Sequence, residues 1–203
     1  ARRLGVFPIP DPAKYGEASR SEVEKALQVC IAALQRGENV LLYPAGRIYR
    51  RSSEDLGGTS AVATLLEALP DVRVVLVRTR GLWGSSASRA SGRYPEVGRA
   101  LRRAALSLLA NGLFFTPRRR VCIELHEPAD LPRAGDRNAL NRYLEAFYNQ
   151  DAPPNTYVPY TIWEKGGTRV LPEPAVQALS GDPGMVPSGT RQLVRQHLAE
   201  MTG

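Results

Sequence analysis

GENVLLYPAGRIYRR, residues 37–51, is the stretch from which the architecture is read. An apolar run, Val40-Leu41-Leu42-Tyr43, stops at Pro44; Ala45-Gly46 follow, then Arg47, Arg50 and Arg51. The run reads as a buried strand, Asn39–Tyr43, feeding a tight turn with a cationic rim. Upstream, Ser21-x-x-Glu24 forms a capping box. Val23, Ala26, Leu27, Cys30, Ala33 and Leu34 then recur at helical spacing until Gly37 ends the helix. Downstream, Thr59-Ser60 caps a second helix with Val62, Leu65, Leu66 and Leu69 inside and Pro70 after it. Val72–Val77 is a second buried strand, dense in β-branched residues. Strand, helix and strand at this separation form a βαβ unit with a parallel pair. The expected fold class is therefore α/β, a mixed, largely parallel sheet flanked by helices.

Further along, residues 81–95 are rich in Gly and Ser and carry Trp83. Val97 to Phe115 is a longer amphipathic helix, Arg-rich on one side and Leu/Phe-rich on the other, ended by Thr116-Pro117. Its apolar side either packs on the sheet through Leu101, Ala105, Leu108 and Leu109 or docks on a membrane surface. Val121–Leu125 is a third strand. Asp136 caps a helix running to Tyr148, with Leu140, Tyr143, Leu144 and Phe147 on one face. Residues 151–159 are Pro-rich loop, and residues 1–19 are irregular and proline-punctuated. Leu171 to Gly189 holds four prolines and three glycines and reads as a linker before a last helical segment, Arg191 to Met201.

The 203 residues carry a formal net charge of +7. From Arg73 to Arg120 there are eleven arginines and one acid, Glu96. Such a surface attracts anionic lipid, nucleic acid or an acidic partner. The two cysteines, Cys30 and Cys122, sit in apolar periodic segments and read as small core residues, with no metal spacing and no disulfide framework. A reducing cytoplasm fits. No apolar run is long enough to cross a bilayer.

The turn after Tyr43 suits a phosphate. Small residues let the backbone approach, and guanidinium forks bind phosphate oxygens bidentately. The candidate substrate-binding residues are Tyr43, Pro44, Ala45, Gly46, Arg47 and Arg50. No residue is assigned as catalytic, and none as a metal ligand. Of the two histidines, His126 precedes Asp130 by four positions, but Pro128 breaks any helix that would place both on one face. His197 lies in the terminal helical segment. There is no Gly-x-Ser-x-Gly elbow and no phosphate-binding Gly/Lys loop.

These blocks resemble the bacterial lysophospholipid acyltransferases of the 1-acylglycerol-3-phosphate type. Tyr43-Pro44-Ala45-Gly46 with Arg47 and Arg50 is similar to their glycerophosphate-binding block, Phe-Pro-Glu-Gly-Thr-Arg-Ser. Leu4-Gly5-Val6-Phe7-Pro8-Ile9 resembles the preceding Gly-x-x-Phe-Ile block, and Val72 to Gly81 the later apolar block. Trp83-Gly84, NGLFFTPRRR at 111–120 and NTYVPYTIW at 155–163 resemble the branch fused to acyl-carrier and acyl-adenylating domains. Ala45 stands where the family has Glu, which leaves the phosphate to arginine. The family's catalytic His-x-x-x-x-Asp precedes the Gly-x-x-Phe-Ile block, which here begins at Gly5, so residues 1–203 do not hold it.

The resemblance implies a glycerolipid acyltransferase-like partial domain. Residues 1–170 are expected to be that domain without its N-terminal catalytic segment, 171–189 the linker, and 190–203 the start of a following domain of acyl-carrier type. The implied activity moves a fatty-acyl group from a thioester, acyl-CoA or acyl carrier protein, to a lysophospholipid or glycerophosphate hydroxyl, with this chain holding the acceptor phosphate and inactive alone. No cofactor is implied. The implied place is cytoplasmic and peripheral, on the inner face of an anionic membrane, without nucleic acid. The alternative is a non-catalytic basic module binding anionic membrane or nucleic acid; a degenerate, regulatory acyltransferase-like domain is a third.

Overall fold

The computed structural model describes residues 17–46, 51–86, 88–92, 96–112 and 114–174. The proline-punctuated block Leu4 to Ile9, the last helical segment and most of the linker lie outside them. Four α-helices, a short 3-10 helix (Arg89–Ser91) and two small two-stranded ladders make up the described chain: α1 (Glu17–Gln35), α2 (Ala61–Ala68), β1 (Leu76–Arg80), α3 (Val97–Asn111), β2 (Cys122–His126), α4 (Arg137–Asn149), β3 (Thr156–Tyr157) and β4 (Arg169–Val170).

Helix α1 buries Ala26, Leu27, Cys30 and Ile31, a stripe with helical spacing. It begins four residues before Ser21, so the expected capping box lies inside the helix. Its end is as read. Gly37 takes φ 81°, its N–H bonds the Leu34 carbonyl at 2.9 Å, and the Glu38 N–H reaches the Ala33 carbonyl at 3.0 Å. That paired closure needs a left-handed residue, which glycine supplies without strain. Helix α2 joins two cores. Leu65 packs with Leu27, Cys30 and Ile31, while Ala63 and Leu66 pack with Leu56, Leu76, Leu131, Leu140 and Leu144. Ser60 stands at its N-terminus without a side-chain cap.

The expected largely parallel sheet is not present among the described residues; both ladders there are two-stranded and antiparallel. Asn39–Tyr43 is not a strand. Val40 and Leu42 pack on α1 and α2, but Leu41 and Tyr43 face outward, and no described backbone pairs with the run. The Val72–Val77 expectation overlaps β1 only at Leu76 and Val77. The reason lies in the carbonyls: Arg133 takes those of Pro70 and Val72 at 2.9 and 2.7 Å, so that end of the run forms no ladder. The pair that forms is β1 with β2, in the register Leu76↔His126, Arg78↔Glu124, Arg80↔Cys122. Opposite charges directly across a ladder favour this register, and Arg78 bonds Glu124 through both Nε and Nη2.

The charged side of this ribbon faces α4. Arg78 donates to the Phe147 carbonyl at 2.6 Å and lies over the Phe147 ring at 4.6 Å, and Arg80 donates to the carbonyls of Gln150 and Asp151. These carbonyls at the helix end lack intrahelical partners, and cations there complement the helix dipole. The other side of the ribbon presents Val77, Ile123 and Leu125 to the exterior. Helix α4 starts as read: the Asp136 side chain accepts from the Asn138 N–H at 2.8 Å.

Beyond β3, Glu164 ties its loop together. Its carboxylate accepts from the Tyr160 N–H at 2.8 Å and the Tyr157 hydroxyl at 2.9 Å. Those donors, first the Tyr160 amide and then the Tyr157 hydroxyl, hold its carboxyl below the ordinary value. A lowered folded-state value means the contribution is complete above the ordinary carboxylate range and lost as pH falls through the lowered one. Acidification below about pH 4 should therefore release residues 157–169 early, read as faster hydrogen exchange at the Tyr160 amide. Glu164→Gln should abolish that pH dependence; an unchanged profile would assign it elsewhere.

Candidate functional site

The candidate site is the turn that ends the apolar run. The Gly46 N–H bonds the Tyr43 carbonyl at 3.0 Å, which closes Tyr43-Pro44-Ala45-Gly46 into a turn. Gly46 takes φ 64°, and a Cβ added there would meet nothing within 4 Å. The glycine is thus required by conformation, and the space beside it is open. Tyr43 is 75% exposed and Gly46 is exposed, while Pro44 and Ala45 are half-buried. Arg47 and Arg50 lie outside the described residues; Arg51 is exposed.

The segment following the turn is fixed by α4. Asn149 Nδ2 donates to the Glu54 carbonyl at 2.8 Å, and its Oδ1 accepts from the Glu54 N–H. Glu145 Oε1 accepts from the Leu56 N–H at 2.7 Å. Asn141 Nδ2 donates to the carbonyls of Gly57 and Thr59, each at 3.0 Å. Asn141, Glu145 and Asn149 share one face at spacing four, so a single polar stripe holds loop 54–59. Sequence reasoning credited α4 only with its apolar face. The available signal was a polar i, i+4, i+8 row beside Leu140 and Leu144.

The histidine candidate is not assembled into a base. The His126 ring stacks on Phe147 with centroids 5.5 Å apart. Asp130 accepts from the Tyr143 hydroxyl at 2.6 Å, a bond that raises the tyrosine's pKa. His197 lies outside the described residues. Cys30 is buried, and burial pushes its thiol pKa up, against nucleophilic use. Cys122 is exposed, contrary to the core reading. Among the described residues no group of His, Cys, Asp and Glu could hold a metal ion.

The arginine surface divides into two classes. Several of the eleven are internal ties. Arg78 and Arg80 close α4. Arg119 donates to the carbonyls of Gly81, Trp83 and Thr156 at 2.8, 3.2 and 2.7 Å, and its desolvation there lowers its pKa. Arg89 is buried. The exposed class comprises Arg73, which forks onto Glu127 at 2.9 and 2.7 Å, with Arg99, Arg102, Arg103, Arg118 and Arg120. No helix among the described residues is long and apolar enough to cross a membrane.

Comparison with protein-family models, curated proteins and solved structures gave no match.

Proposed function

We propose that this chain holds the acceptor in an acyltransferase that moves a fatty-acyl group from a thioester to a lysophospholipid or glycerophosphate hydroxyl. The observation that carries the reading is the Gly46 turn: left-handed, open on its Cα side, and followed in sequence by Arg47 and Arg50. A phosphate can approach such a backbone closely, and guanidinium groups neutralise it. The block order stated above adds to this. The chain's part in the chemistry is then positioning, which lowers the barrier by fixing the acceptor hydroxyl for attack on the thioester carbonyl. The base that removes the hydroxyl proton is assigned to neither His126 nor His197. The internal use of Arg78, Arg80 and Arg119 weakens the rival nucleic-acid reading, since those cations are committed to carboxylates and carbonyls.

The test is acyl transfer to lysophospholipid by the whole natural protein. A charge-assisted contact of about 1.5–3 kcal/mol predicts that Arg47→Ala weakens acceptor use ten- to a hundredfold, by the same estimate, with the donor's apparent affinity unchanged. Gly46→Val should also weaken acceptor use, because it fills the open side and strains the left-handed turn. Equal losses for acceptor and donor would count against the acceptor site, and no transfer by the unaltered protein would end the reading.

A further inference from the structure

Helix α3 is turned the wrong way round for a helix serving the core. Its inward side is polar. The Ser107 hydroxyl donates to the Tyr160 carbonyl at 3.0 Å, and Asn111, only 6% exposed, donates to the same carbonyl at 3.2 Å. The Ile162 N–H returns to Asn111 Oδ1 at 3.3 Å, and Arg103 reaches the Tyr157 hydroxyl at 3.4 Å. Residues 103, 107 and 111 thus form the attached stripe. The apolar side chains Val97, Leu101, Leu108 and Leu109 are all exposed, Leu109 by 82%, and none belongs to either core cluster. An amphipathic helix on a water-soluble surface does the reverse.

Further apolar side chains are exposed just beyond the helix end. Phe114 is 82% exposed and Phe115 is exposed as well. Ile162 and Trp163 stand at the same end, where the Ile162 amide meets Asn111, and Trp163 is 79% exposed. Cations accompany them: Arg99 and Arg102 on α3, and Arg118 and Arg120 beyond it, are exposed. The one carboxylate at this helix, Glu96, sits 3.2 Å from Arg99.

We propose that α3, with Phe114, Phe115 and Trp163, is the surface by which this chain lies in the plane of an anionic bilayer. A protein partner would need a complementary shape. A bilayer asks for a linear apolar strip, interfacial aromatics and flanking arginines whose long stems let the charge reach the headgroups. Those are the features exposed here. The helix is too short and too charged to span, so it lies flat. This inference stands apart from the acyl-transfer reading, because binding is measured without turnover.

The experiment is co-sedimentation of the 203-residue chain with vesicles of phosphatidylcholine alone or mixed with phosphatidylglycerol. Binding is expected only with phosphatidylglycerol and should fall as salt rises. Arg99→Gln and Arg102→Gln should each weaken it about fivefold. Leu109→Glu should abolish it while leaving the circular dichroism and thermal midpoint unchanged, because Leu109 touches no core. Trp163 emission, read in a Trp83→Phe background, should shift to the blue on binding. Equal binding to neutral vesicles, or binding that survives Leu109→Glu, would overturn the proposal. So would no vesicle binding with an oligomer that Leu109→Glu dissolves, which would assign the face to a second copy.

Discussion

Gly84→Ala should lower the stability of this chain by roughly 3–5 kcal/mol, seen as a lower urea midpoint. Gly84 takes φ 91°, where a Cβ is strained, and that Cβ would overlap the Thr156 carbonyl. The carbonyl cannot step aside. It accepts from Arg119 at 2.7 Å, and Thr156 is paired with Val170. Arg119 also holds the carbonyls of Gly81 and Trp83, so the substitution strikes a joint closed from several directions. Gly58→Ala is the control: its Cβ would meet nothing within 4 Å, and its φ is not in the left-handed range. It should fall within about 0.5 kcal/mol of the parent. Equal losses at both positions would show that the 84–156 approach does not limit stability.

Leu144→Ala should cost about 3 kcal/mol. Leu144 is 2% exposed and packs in the cluster formed by Leu56, Leu66, Leu76, Leu131 and Leu140, where α4, α2 and β1 meet. Removing its branched end leaves a void that α2 and β1 cannot both fill. Leu144→Met, which keeps the volume, should cost less than about 1.5 kcal/mol. Asn141 and Glu145 lie on the same helix and hold loop 54–59, so Leu144→Ala should also speed exchange of the Leu56 amide. A loss under about 1 kcal/mol with that amide unchanged would mean that the cluster does not brace α4.

The sequence alone determined what depends on neighbours a few residues apart. Gly37 ends α1, Asp136 caps α4, and Leu140 and Leu144 mark the buried side of α4, because helix ends and helix faces are set by local bonds and a 3.6-residue period. Gly46 closes a turn for the same reason. The tertiary structure alone decided what depends on partners far along the chain. Val40–Tyr43 has strand-like composition, yet a strand exists only if another backbone offers its amides, and none of the described ones does. Arg133 removed the Val72 carbonyl from pairing, and the Arg78–Glu124 pair across 46 positions favoured an antiparallel ladder instead. The outward turn of α3 was equally unreadable. The pattern shows that the helix has an apolar side. Which side meets the body was settled by the Tyr160 carbonyl, 49 residues from Asn111, whose bonds to Ser107 and Asn111 fix the polar stripe inward.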